Sequence, residues 1–122
     1  MILVDTTVWI DFLAGRDGAA PLRELLLADQ VVCHPAIRGE IALGSLAKRS
    51  EILGLLTRLP STAVATNDEV LALVEAKHLY ASGIGWVDAH LLAGALVSAC
   101  PLWTHDKKLR AVADRLGMSA TI

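Results

Sequence analysis

Met1-Ile-Leu-Val-Asp-Thr-Thr-Val-Trp-Ile-Asp-Phe-Leu13 is the stretch that sets the fold. Ile2 to Val4 is a short apolar run suited to a buried strand. Asp5-Thr6-Thr7 then supplies capping oxygens, and Val8, Trp9, Phe12 and Leu13 recur at helical spacing. A strand therefore feeds straight into a helix, with an acid at the junction. The same grammar returns twice. Val31-Val-Cys33 predicts a strand before a helix opened by Pro35 and carrying Ile37, Ile41 and Leu46 on its inner face. Pro101-Leu-Trp103 predicts another before a helix opened by Asp106, with the stripe Leu109, Val112, Ala113, Leu116 and Gly117 as its stop. Between them, Pro21 opens a helix through Leu22, Leu25 and Leu26, and Ile52, Leu55, Leu56 and Leu59 mark the second arm of a helical hairpin. Asn67 is placed to cap a helix through Val70, Leu73, Val74 and Leu79, and Val87 to Cys100 is apolar nearly all round, as in a buried helix. Thr62 to Thr66 and Met118 to Ile122 are two further strand candidates. Strands alternating with helices give an α/β protein with a mainly parallel central sheet of about five strands flanked by helices, joined by right-handed crossovers.

The 122 residues, 54% hydrophobic and 20% charged, fit a single domain spanning 1–122 and exclude a disordered chain. A mean hydropathy of +0.52 gives a motive for covering part of the surface with a partner or a second copy. Abundant Ala and Leu also raise hydropathy without making the surface adhesive. Eleven Lys and Arg against thirteen Asp and Glu leave a net charge of −2, so a polyanion has to be held by local charge. The uncharged run from Leu91 to Thr104 is broken by Ser98 and Pro101 and is shorter than the ~20 residues of a membrane span, so no membrane association is expected. Asp5 interrupts the N-terminal apolar run, which removes a secretory signal and leaves the cytoplasm as the expected location. Cys33 and Cys100, far apart among apolar and small neighbours, are expected to be reduced and buried.

In an open parallel sheet the chemistry lies at the carboxyl ends of the strands, which singles out the acids that follow strands. Asp5 ends the first and Asp106 follows the strand Leu102-Trp103. Glu40 sits in the first turns of the helix after Val31-Val-Cys33. Asp88 enters the most apolar helix through its first turn, where a charge is costly without a cap, a cation or water. Singly, each has an ordinary structural explanation: Asp5 and Asp106 as caps, Asp88 against the helix dipole, Glu40 as a solvated side chain. Together they form a set of four carboxylates from four separate segments. Two unit charges ~5 Å apart repel by roughly 3 kcal/mol at an effective dielectric of 20, and four carboxylates make six pairs. Such a set suits a cation. Oxygen donors without His or Cys at fixed spacing point to Mg²⁺, with Mn²⁺ as the alternative, and not to zinc.

The opening thirteen residues, Pro35 with Glu40, Trp86-Val-Asp-Ala-His-Leu-Leu-Ala93 and Leu102-Trp-Thr-His-Asp-Lys-Lys-Leu109 together resemble the PIN-domain VapC toxins, in order and across the whole chain. That resemblance implies a PIN-like fold and a Mg²⁺-dependent endoribonuclease from a bacterial or archaeal toxin–antitoxin pair. It also implies a VapB-like antitoxin partner and a homodimer. Asp5, Glu40 and Asp88 correspond to the family's metal-binding acids and Asp106 to its fourth acidic position. Thr7 is similar to the hydroxyl that supports the first Asp, and Thr104 stands where it can orient Asp106 or a metal-bound water. All four acids are assigned as catalytic and metal-binding, with hydrolysis by metal-activated water leaving 5′-phosphate and 3′-hydroxyl ends.

Among the cations near this edge, Arg38 and Lys107 are the nearest in sequence to Glu40 and Asp106 and are assigned to RNA phosphate. Five aromatic residues are too few for extensive base stacking, and Trp9, Trp86 and Trp103 are assigned to core or interface. His34, His90 and His105 have no partner at ligand spacing, and His105 is expected to point away from Asp106. Two other readings compete. A Mg²⁺-dependent phosphatase of the haloacid-dehalogenase type requires a second Asp two positions after Asp5, where Thr7 stands. A catalytically silent PIN-like RNA-binding module is disfavoured because all four acids are present.

Overall fold

A computed structural model describes residues 1–122. The elements are β1 (Ile2–Val4), α1 (Thr6–Leu13), a 3₁₀ turn (Asp17–Ala19), α2 (Pro21–Leu27), β2 (Val31–Val32), α3 (Pro35–Ala42) and α4 (Arg49–Arg58), followed by α5 (Asn67–Ala76), α6 (Trp86–Ser98), β3 (Leu102–Trp103) and α7 (Lys107–Arg115). The sheet is parallel with order β2-β1-β3, Leu3 facing Val32 on one side and Leu102 on the other.

The sheet has three strands where about five were expected. The two missing ones survive only as single parallel bridges, Ser61 to Cys33 beyond β2 and Ser119 to Leu102 beyond β3. Thr62 to Thr66 lacks an alternating apolar pattern, and Met118 to Ile122, which has one, pairs with β3 through Ser119 alone. The 61–66 chain instead lies on α6: Ala63 N–H donates to Ser98 Oγ at 2.8 Å, and a Cβ on Gly94 would come within 2.8 Å of the Ala63 carbonyl. Gly94 is thus a glycine because backbone crosses the helix there.

Helix starts follow the capping chemistry, with one shift. Thr66, not Asn67, caps α5, in a reciprocal box with Glu69. Asp106 caps α7 through Leu109 N–H at 2.9 Å, and Gly117, at φ 69°, follows its end. The core is built from Leu3, Val4, Val8, Trp9, Ile37, Ile41, Leu91, Leu92, Leu102 and Leu109, all at most 2% exposed. Trp103 joins them, Trp86 stays 45% exposed, and Cys33 and Cys100 are buried free thiols. Burial pushes the Cys33 thiol up to about 11. No helix is long and apolar enough to cross a membrane.

The chain leaves β1 for β2 on one side and later returns to β3 on the other, so the sheet order reverses at β1. The crevice of such a sheet opens at that reversal, beyond the carboxyl end of β1, which is Asp5.

Candidate active site

Asp5 is only 4% exposed, and its Oδ2 accepts two hydroxyl hydrogen bonds, from Thr7 Oγ1 and Thr104 Oγ1, each 2.7 Å. Those hydroxyls in turn accept backbone N–H groups, Thr7 from His105 and Thr104 from Asp106, each 3.0 Å. Thr7 lies in the first turn of α1 and Thr104 directly follows β3, so the arrangement locks the start of a helix to the end of a neighbouring strand around one carboxylate oxygen. It explains why both positions are hydroxyl residues: each must donate and accept at once.

The other three acids are held from their own segments. Glu40 Oε1, on α3, accepts from Thr6 Oγ1 at 2.7 Å; Asp88 Oδ2, in the first turn of α6, accepts from Gly85 N–H at 3.1 Å; Asp106 Oδ1 carries the cap of α7. The four share an electrostatic field. Burial, opposed by the Gly85 N–H, and then the charges of Asp5, Asp106 and Glu40 hold the Asp88 carboxyl above the usual range.

One pattern runs through all four. Each carboxylate has one oxygen fixed by a protein donor, while Asp5 Oδ1, Glu40 Oε2, Asp88 Oδ1 and Asp106 Oδ2 make no protein hydrogen bond. None of the four is in an ion pair, the two salt bridges of the molecule both falling on Asp11. Four carboxylates, three of them acting on Asp88, each presenting one uncommitted oxygen and in no ion pair, suit a hard divalent cation. No three of them come together as a group that could by itself hold a metal ion. Mg²⁺ does not need one, since it commonly takes one or two carboxylates directly and keeps several waters. The donor set therefore fits Mg²⁺ or Mn²⁺ and does not fit a zinc site closed by protein ligands.

Several neighbours were not singled out by sequence. Thr6 is the hydroxyl that fixes Glu40; two consecutive Thr residues after a strand-end Asp are the signal that both would face this edge. Asp11, one turn and a half along α1, accepts from Arg16 and pairs with His105 Nδ1. His105 thus turns toward α1 and away from Asp106, and its partnership, followed by that of Arg16, holds the Asp11 carboxyl below the usual range. His34 caps α3, its Nδ1 accepting from Ala36 N–H at 3.0 Å, and lies 6.5 Å from the His90 ring. Burial, then His90 and Arg38, lower the His34 pKa. Arg38 is half-buried on α3, with its charge felt at Cys33 and His34, and Lys107 is exposed as the first residue of α7.

The model of the PIN domain matches residues 2–115. Two curated relatives, both Ribonuclease VapC32, from Mycobacterium tuberculosis strains CDC 1551 / Oshkosh and ATCC 25618 / H37Rv, are each 48% identical over 120 residues, covering 98% of this chain and 95% of the relative. With that coverage, and with the parallel sheet and acidic edge in place, this chain belongs to the PIN-domain family, within its VapC group.

Proposed function

We propose that this protein is a metal-dependent endoribonuclease, the toxin of a VapBC-type pair, and that Asp5, Glu40, Asp88 and Asp106 are its catalytic and metal-binding residues. The observation that carries the proposal is the set of four carboxylates, each pinned by one oxygen and open at the other, gathered at the point where the sheet order reverses. The relatives' printed name, ribonuclease, supports RNA as the substrate.

The uncommitted oxygens of the four acids would hold Mg²⁺, or Mn²⁺ in its place, directly or through water. When bound, the cation supplies a nucleophilic water near neutral pH and neutralises charge on the phosphate. The chain's own groups do the positioning. Thr7 and Thr104 hold Asp5 in place in a buried setting, Thr6 and Gly85 orient Glu40 and Asp88, and the capping bond to Leu109 sets Asp106. Water, with no side-chain nucleophile, would form the new bond to phosphorus as the bond to the 3′ oxygen breaks, leaving 5′-phosphate and 3′-hydroxyl ends. Arg38 and Lys107 are assigned to substrate phosphate.

The expected partners are a VapB-like antitoxin and a second copy of the chain, in the cytoplasm. Uncovered apolar side chains are available for both contacts, Leu43 at 91% exposure and Leu27 and Val97 at 68%. The deciding experiment incubates the purified protein with structured and unstructured RNAs in Mg²⁺ or EDTA and maps the ends. Cleavage abolished by EDTA, with 5′-phosphate products, is the expected result. RNA binding without cleavage would leave only a binding module, and cyclic-phosphate ends or indifference to EDTA would overturn the metal-based chemistry.

A further inference from the structure

A cleft of about 410 Å³ lies between α7 and the loop that leads into α6, lined by Ser82, Lys107, Lys108, Ala111, Val112 and Arg115. Three of its six lining residues are cationic and none is acidic, in a chain whose net charge is −2, although the wall itself is mostly apolar side-chain surface. None of the three cations is in an ion pair.

Their placement has no adequate structural explanation for two of the three. Arg115 has one: its guanidinium donates to the carbonyls of Lys77 and His78 at 2.9 and 3.3 Å, closing the end of α5. Lys107 and Lys108 are the first two residues of α7, whose single acid at that end is the cap Asp106. Cations at a helix N-terminus oppose the helix dipole and are the wrong charge for that position. The Lys108 stem also runs over the loop. It lies so close over Gly83 that a Cβ there would sit 2.8 Å from the Lys108 Cδ, and Gly83 has a φ of +86°. A glycine in the left-handed region thus makes room for the lysine to lie along the loop.

Both walls of the cleft run into the acidic edge. Lys107 follows Asp106 directly, and the loop under Lys108 continues to Gly85, whose N–H fixes Asp88. We propose that this cleft is a backbone-phosphate subsite, in which Lys107 and Lys108 hold a phosphate of the RNA strand next to the one at the acidic edge. The inference rests on the ribonuclease reading. Four carboxylates repel a polyanion, and paired cations one step along the strand supply the attraction that the net charge does not.

The test measures binding of a labelled single-stranded RNA in EDTA, over 50 to 200 mM salt, beside cleavage in Mg²⁺. One displaced phosphate contact on a single strand changes the slope of log K against log salt by about 0.7, equivalent to about fivefold in affinity at 0.1 M salt. Lys107→Gln/Lys108→Gln should show that loss in both slope and affinity. Lys107→Arg/Lys108→Arg should retain both, which separates charge from folding. Arg23→Gln/Arg58→Gln, equal in charge change but on α2 and α4, should leave the slope unchanged. If wild type cleaves RNA and the Gln pair binds with wild-type slope, or loses no more than the α2/α4 control, the subsite is wrong and the ribonuclease stands. If wild type neither binds nor cleaves any RNA, both fall.

Discussion

Asp88→Asn should make the protein more stable in EDTA and abolish RNA cleavage, a combination that a purely structural Asp88 cannot give. Burial and the charges of Asp5, Asp106 and Glu40 all disfavour its ionised form. Two unit charges about 8 Å apart interact by about 2 kcal/mol at an effective dielectric of about 20, and solvent reduces this strongly where, as at Glu40 and Asp106, the partner is exposed. Against that relief stands the N-terminal dipole, whose loss of a negative charge costs about 0.3–1 kcal/mol. The Gly85 hydrogen bond itself survives, because an Asn oxygen accepts it as well as an Asp oxygen does. The net gain is about 1 kcal/mol, or about 4 °C in Tm. The sign also fixes the pH dependence. A carboxyl whose folded pKa is raised destabilises the native state when ionised, so the gap is full at neutral pH and closes as pH falls through its raised folded pKa toward the ordinary Asp value near 4. Mg²⁺ at ten times its Kd adds about 1.4 kcal/mol to wild type and less to the variant, so it should narrow or reverse the gap. Thermal melts at pH 7 and pH 4, with EDTA and with Mg²⁺, read all of this. A variant less stable in EDTA at pH 7, with Mg²⁺ shifting both proteins equally, would make Asp88 a simple cap and remove the centre of the acidic set.

The remaining tests address the supports. Thr104→Val removes both a donor to buried Asp5 and the acceptor of Asp106 N–H, and should cost about 1–3 kcal/mol in urea unfolding together with most of the cleavage activity. Glu40→Gln should lose cleavage with little change in stability, since Glu40 is exposed and its Thr6 contact can be kept by the amide oxygen; full cleavage by the variant would remove Glu40 from the site. Gly94→Ala should destabilise by about 1–3 kcal/mol through overpacking against the 62–63 chain, measurable by melting with a wild-type RNA end pattern. Asp11→Asn should flatten the acid limb of the stability curve: its lowered folded pKa means a contribution present above the ordinary carboxylate range and lost as pH falls through the lowered value.

The strand-to-helix junctions were legible because each combines a short apolar run with capping chemistry, and they carried Asp5, Asp106 and the Pro35 helix with Glu40 to one edge. Asp88 was legible for a different reason, as a charge at the mouth of an otherwise apolar helix. The outer strands were not, because a parallel bridge of one residue has no sequence period; Thr62 to Thr66 is recognised only by what it does, crossing α6 at Gly94. His105 and Asp11 escaped because their contact spans 94 positions, and no local spacing announces it. Thr7 and Thr104 were placed near the acids by sequence, but that both donate to one oxygen of Asp5 is a fact of three dimensions.

That shared oxygen also accounts for the openness of the site. A carboxylate that spends one oxygen on protein donors can offer a cation only the other, so chelation by both oxygens is closed to Asp5 while the Thr pair holds. Glu40, Asp88 and Asp106 differ, each giving one oxygen to a single donor, Thr6, Gly85 and Leu109 respectively, so that Asp5 is the acid whose second oxygen is fully spent. Ca²⁺, which favours six to eight oxygens and often a bidentate carboxylate, is poorly served by such ligands; a smaller octahedral ion that retains water is well served. In the proposed hydrolysis the attacking water would come from that retained shell. Replacing Thr7 and Thr104 together by Val would free Asp5 Oδ2 and shift the preference toward Ca²⁺, read as a larger Ca²⁺-induced than Mg²⁺-induced rise in Tm. An unchanged order of the two ions, in a variant that still melts cooperatively, would show that the threonines only support the fold.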